Sequence, residues 1–175
     1  PVWGHACVID RPGYDARYFP KYGRQRWLLC KSAFSIVVER SAKFVRNRGG
    51  RLRVYIEKSD RKTDLTLKGY YDEMRGKGMP FSEATSQKYK PADAQALAET
   101  LFEFRPKAKS SPLAQLADLY LWPICLAGYN HACRPFTSLK DAGKLIDCTI
   151  AEDEGECAIK YYCFDNKKAQ LQLGS

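Results

Sequence analysis

Two periodicities alternate along this 175-residue chain. Over residues 24–47 the apolar positions Trp27, Cys30, Phe34, Val37, Val38 and Val45 recur at helical spacing, and Gly49 and Gly50 follow as a left-handed stop. The pattern predicts a long, basic, amphipathic helix. Residues 51–57 then alternate strictly, with Leu52, Val54 and Ile56 on one face and Arg51, Arg53, Tyr55 and Glu57 on the other. A period of two predicts a strand. Residues 63–77 predict a second helix, with Leu65, Leu67, Tyr70 or Tyr71, and Met74 on its apolar side. Residues 92–99 predict a short helix or turn, 101–105 a strand, and 112–127 a third helix opened by Ser111 and Pro112. At the start, residues 2–9 predict a strand followed by a turn at 11–14. At the end, 137–145 predict a weak helix, 151–156 an acidic turn and 158–164 a strand.

Strands and helices mixed in this way, with no repeat or linker, predict one α/β domain over residues 1–175. Hydrophobic content of 45% with 28% charged residues fits a folded chain rather than a disordered one. No uncharged apolar run reaches about 18 residues, so an ordinary membrane-spanning helix is not expected. The longest apolar stretch, 113–129, contains Asp118 and Pro123 and is expected to be a core helix. The opening Pro1 to His5 has neither a basic start nor an apolar run, so no secretory leader is expected. The chain also lacks an initiator Met, which is compatible with a fragment or a processed product. Seven cysteines, an odd number without a C-x-x-C pair, and only two histidines speak against a zinc site and for reduced thiols in the cytoplasm.

Charge changes the picture most. The net charge is +9, and residues 11–62 hold 15 Lys and Arg against 4 acids, leaving 14 against 16 elsewhere. A local field of that sign favours a polyanion, nucleic acid (DNA or RNA) being the commonest. Arg11, Arg17, Arg24, Lys43, Arg46, Arg51 and Arg53 are the candidate nucleic-acid-binding residues. Tyr14, Tyr18, Phe19, Tyr22 and Trp27 are interleaved aromatics that could stack bases, although Trp27 at helix spacing suits a core equally well. The alternative is a solvated basic face with no partner.

Nucleophile elbows, P-loops and dinucleotide fingerprints are absent from the sequence. Three acids stand out instead. Glu39 lies inside an apolar helical run, Glu57 ends the clearest strand, and Asp118 sits in the middle of an apolar helix. Each alone could be a solvent-facing acid or an ion-pair partner. Together they suggest an oxygen cluster for hard divalent ions, the kind that activates water in phosphodiester cleavage.

The order of elements and three segments, Cys7-Val-Ile-Asp-Arg-Pro-Gly-Tyr14, Val54-Tyr-Ile-Glu57 followed by Arg61-Lys-Thr-Asp64, and Ser111-Pro-Leu-Ala-Gln-Leu-Ala-Asp118, resemble the domain of unknown function 3800 family. The resemblance covers residues 2–130 and leaves 131–175 as a C-terminal extension. It implies a ribonuclease H-like mixed sheet with flanking helices, in which 2–9 is the third of three antiparallel strands and 51–57 and 101–105 add alongside. It implies a divalent-metal-dependent nuclease using Mg2+ or Mn2+, with Glu57 and Asp118 as metal ligands and Glu39 as the helical acid. Asp64 and Asp60 follow as ligands or positioning groups. The chain departs from the family in lacking an acidic motif on a first strand. Either N-terminal strands are missing or the protein is an inactive relative, a non-catalytic nucleic-acid-binding or interaction domain on the same fold.

Overall fold

The computed structural model describes residues 2–23, 27–81 and 90–164. Strand β1 (Cys7–Ile9) leads directly into helix α1 (Arg11–Tyr22), where the sequence pattern predicts only a turn. Asp10 is the reason. Its Oδ2 accepts the Gly13 N–H at 2.9 Å, and Pro12 occupies the first turn, where a missing N–H costs nothing. Gly13 serves a close approach rather than a turn, because a Cβ there would stand 2.0 Å from the Cys163 carbonyl oxygen.

Helix α2 (Trp27–Arg46) ends as its glycines predict. Gly49 takes φ 69°, and the Gly50 N–H donates to the Val45 carbonyl at 2.8 Å. Strand β2 (Leu52–Glu57) alternates half-buried and exposed residues along its whole length. Helix α3 (Arg61–Lys77) starts two residues before the expected helix, since Asp60 caps it by accepting the Lys62 and Thr63 N–H groups. Helix α4 (Ala94–Thr100) runs straight into strand β3 (Leu101–Lys107). Helix α5 (Pro112–Ala127) follows the predicted bounds, whereas α6 (Arg134–Asp141) begins three residues before the predicted weak helix. The acidic segment Glu152–Cys157 is a short 3-10 helix, and strand β4 (Lys160–Tyr162) closes the described chain.

The expected α/β class forms, but the strand arrangement differs from a single mixed sheet. Among the described residues there are two separate two-stranded sheets, β1 with β4 and β2 with β3, and both pairs are parallel. Residues 51–57 and 101–105 do lie side by side, as expected. Residues 2–9, expected to be antiparallel, instead run parallel to the C-terminal part, with Gly4 bridging Leu145 and Cys7–Ile9 pairing Lys160–Tyr162. The physical reason is apolar matching: Ala6 and Val8 sink into the same cluster as Leu145, Cys157 and Ile159. The segment expected as an extension is thereby half of the first core.

Two clusters make up the interior. The first gathers Ala6, Val8, Ile124, Ala127, Phe136, Leu145 and Ile159 between β1, β4, α5 and α6. The second gathers Val38, Ala42, Tyr71, Met74, Leu97 and Leu101 beneath the β2–β3 sheet. Helix α2 serves both, sending Val38 and Ala42 one way and Phe44 the other. Burial of each large side chain contributes about 1.5–3 kcal/mol.

Candidate nucleic-acid interface

The β2–β3 sheet has one covered and one open face. Leu52, Val54, Leu101 and Phe104 belong to the second core and its fringe, so the opposite pleats face water. The register pairs Arg53 with Glu103, Tyr55 with Arg105, and Glu57 with Lys107 on that outer side. A bulge between Leu52 and Arg53 leaves Phe102 as the extra residue and turns it outward. Two guanidinium groups sit over its ring, Arg51 at 4.2 Å and Arg53 at 5.2 Å from the centroid. The Lys107 ammonium lies 4.6 Å from the Tyr55 ring centre, and the Tyr55 hydroxyl donates to Glu103 at 3.1 Å. Glu103 also draws Arg105 into an ion pair and stands 3.9 Å from Arg53. Lys109 follows the strand, 4.0 Å from Glu57.

Arg51, Arg53, Arg105, Lys107 and Lys109 thus outnumber Glu57 and Glu103 around two exposed aromatic rings. Lys58, Arg61 and Lys62 continue the positive run past the end of β2. Planar guanidiniums already aligned with ring faces need little further ordering to grip a phosphate.

The acids singled out by sequence lie in three different settings. Glu39 is buried on α2, where its Oε1 pairs with Lys43 at 2.7 Å and accepts the Ala92 N–H at 3.0 Å. Glu57 is exposed at the end of β2, facing cations. Asp118 is exposed on α5, a helix whose buried residues belong to the first core. Asp60 and Asp64 build the start of α3: Asp60 caps it, and Asp64 accepts the Ser59 N–H at 3.0 Å. The Thr63 hydroxyl, donating to Asp60 at 2.6 Å, holds the Asp60 carboxyl below its usual range. Among the described residues no three His, Cys, Asp or Glu side chains form a group that could hold a metal ion. The expected ligands Glu57, Asp118, Asp64 and Glu39 for Mg2+ or Mn2+ are not brought together in such a group among the described residues.

The candidate cations also divide. Arg51 and Arg53 lie on the sheet face, whereas Arg11 and Arg17 line α1, with Arg17 over the Tyr162 ring. Arg46 is exposed at the end of α2. Lys43 is largely enclosed, holding Glu39 and donating to the Lys90 carbonyl at 2.6 Å, so its charge is already used inside the protein. Arg24 lies outside the described residues. Of the proposed stacking aromatics, Tyr14 is buried against Tyr18, while Phe19 and Tyr22 are exposed. The side chain of Trp27 is outside the described set.

Phe102, Arg105, Lys107 and Lys109 carry no signal of a shared surface in the sequence. The alternation at 101–105 was visible, but pairing with β2 is what places those residues beside Arg53 and Tyr55.

These features define an α/β domain with an open, cationic and aromatic sheet face. No family model matches the chain, and no solved structure does. The chain is similar to y4pM, an uncharacterized protein of Sinorhizobium fredii, at 35% identity over 166 residues. That match takes in 94% of this chain and 60% of the relative, so the chain spans about three-fifths of the length of the curated relative it matches. No helix among the described residues is long and apolar enough to cross a membrane. None of the seven cysteines is in a disulfide, and burial pushes the Cys7 thiol up to about 12.

Proposed function

We propose that this domain binds single-stranded nucleic acid on the outer face of the β2–β3 sheet, without cleaving it. The observation that carries the reading is the placement of Tyr55 and Phe102, both exposed, among Arg51, Arg53, Arg105 and Lys107. Cations take the phosphates and the two rings stack bases, a combination that tolerates many sequences. The net positive charge of the chain raises the encounter rate with such a ligand. The thiols would stay reduced if the protein works in the cytoplasm.

Fluorescence anisotropy with labelled 20-nucleotide RNA and DNA tests the proposal. Binding at low salt should weaken with a log–log slope of roughly −0.7 per phosphate contacted on a single strand. Arg53→Ala with Arg105→Ala should weaken binding about tenfold or more and flatten that slope. No binding at low salt, or binding that ignores both substitutions, overturns it.

A hydrolytic reading, a Mg2+- or Mn2+-dependent nuclease on a ribonuclease H-like fold, has one observation in its favour. Glu57 stands at the carboxyl end of a parallel strand pair, where ligands of α/β sheets gather. It requires further acidic ligands to join Glu57. Cleavage of the same oligonucleotides with either ion, lost in Glu57→Gln, would replace the binding-only proposal.

A further inference from the structure

Helix α1 builds a second surface on which rings and cations stand side by side. Its twelve residues, Arg11–Tyr22, hold Arg11, Arg17 and Lys21 against one acid, Asp15, and all four charged residues are exposed. Tyr14, Tyr18 and Tyr22 recur every four residues and so share one face of the helix. Their rings follow one another at 4.7 and 6.1 Å between centroids. Exposure rises along the row: Tyr14 is buried, Tyr18 half-buried and Tyr22 41% exposed. Arg17 and Lys21, also four residues apart, form the adjoining row. The Lys21 ammonium lies 5.2 Å from the Tyr22 ring centre.

Strand β4 completes the surface from the side. The ring of Tyr162, its last residue, is centred 6.3 Å from that of Tyr18 and 5.9 Å from the Arg17 guanidinium. The Tyr18 and Tyr162 hydroxyls share a hydrogen bond, which ties the middle of the row to the strand. Burial, and then that hydrogen bond, push the Tyr162 phenol up, so its ring stays neutral beside the cations. Tyr162 ends the parallel β1–β4 pair, and α1 leaves from the same end through Asp10. Ligands of α/β sheets gather outside the carboxyl ends of such strands. A row of rings offers stacking faces to bases, whereas an acidic peptide gains from the cations alone. We infer that Arg17, Tyr18, Lys21 and Tyr22 of α1 form a second contact for single-stranded nucleic acid, separate from the β2–β3 face. That role rests on the reading of the ligand as a single strand. A long strand then engages both surfaces at once, the second at the raised effective concentration of a tethered ligand.

Two labelled oligonucleotides, of about 8 and about 30 nucleotides, test this by fluorescence anisotropy on the full 175-residue chain. Arg17→Ala with Lys21→Ala should weaken the longer strand at least tenfold, while the shorter changes less than twofold. The salt slope of the longer strand should flatten by roughly 0.7 for each cation that held a phosphate. Tyr22→Ala alone should weaken the longer strand at least threefold. All three replaced side chains are exposed, so the melting temperature should not move. A longer strand carrying iodouridine, irradiated in the complex, should crosslink to the peptide that contains Tyr18 and Tyr22, located by mass spectrometry. A longer strand that ignores the α1 substitutions, or gives no crosslink to that peptide, overturns the inference. So does a polyglutamate of equal charge that competes as well as the strand, since the rings would then add nothing. Failure of the sheet reading looks different: Arg53→Ala with Arg105→Ala leaves the shorter strand bound as before, while the α1 substitutions still weaken the longer one. If neither length binds at low salt, both fall.

Discussion

The outer face of the β2–β3 sheet and the outer side of α5 are both exposed, yet they ask for different partners. On the sheet, each exposed ring is already dressed by a cation: Arg51 and Arg53 over Phe102, Lys107 over Tyr55. Such a surface is stable in water and gains from a polyanion. On α5, Leu119 and Trp122 stand largely bare, and Asp118 is the one charge of the helix. That surface gains from burial, at about 25 cal/mol per Å² of apolar area covered. Exposure alone says little about function; what the neighbouring side chains already satisfy says much more.

The largest effect should come from beneath the sheet. Leu97 is fully buried in the second core, and Leu97→Ala should cost about 2–5 kcal/mol of stability, measured by urea unfolding. If that change leaves nucleic-acid binding intact at temperatures where the sheet has melted, the sheet face is not the binding surface. Reversing charge on the surface itself comes next. Arg53→Glu with Arg105→Glu should reduce oligonucleotide affinity about a hundredfold, near 3 kcal/mol. An affinity that survives both reversals would mean that the sheet face is not the binding surface.

An acid-sensitive group sits beside the first core. His5 shares a hydrogen bond with the Ser41 hydroxyl at 3.0 Å, and burial pushes its imidazole down to about 4. Below about pH 6.5 the unfolded chain takes up a proton that folded His5 refuses until about pH 4. Stability present above pH 6.5 is therefore lost as the pH falls toward 4, by up to about 3 kcal/mol. Thermal melts between pH 7 and 4.5 should show this drop, and His5→Gln should remove much of it; an identical drop in the variant would place the acid sensitivity elsewhere.

Smaller effects sharpen the sheet side. Phe102→Ala should weaken oligonucleotide binding by about 1–2 kcal/mol, the scale of one stacked base, with little change in salt slope. Smallest is Asp60→Ala, which removes the cap of α3 and should lower stability by about 1 kcal/mol without touching either surface.

Local features were legible from sequence wherever a short-range rule decided them. Strict alternation over 51–57 predicted β2 and its solvent side, including Arg53, Tyr55 and Glu57, and the glycine pair predicted the end of α2. Helix α1 is not legible in the pattern because Pro12 and Gly13 read as turn residues, although Asp10 with a proline two residues on is also a helix-start signal. Glu39, Glu57 and Asp118 stand out in the sequence because each sits in an apolar or basic setting. Spacing along a chain carries no distance between elements, and the fold gave Glu39 to Lys43, Glu57 to a cationic edge and Asp118 to an exposed helix.

By itself, then, the order of residues decided most of the helices and strands, the positive field, and the largely apolar character of α5, because periodicity, capping and charge act over a few neighbours. Only the tertiary structure decided that β1 pairs in parallel with the C-terminal strand, that β3 lays Arg105 and Lys107 beside Arg53 and Tyr55, and that one side of α5 stays bare. Those outcomes depend on which apolar faces find each other across a hundred residues, a choice made by packing of the whole chain rather than by any local rule.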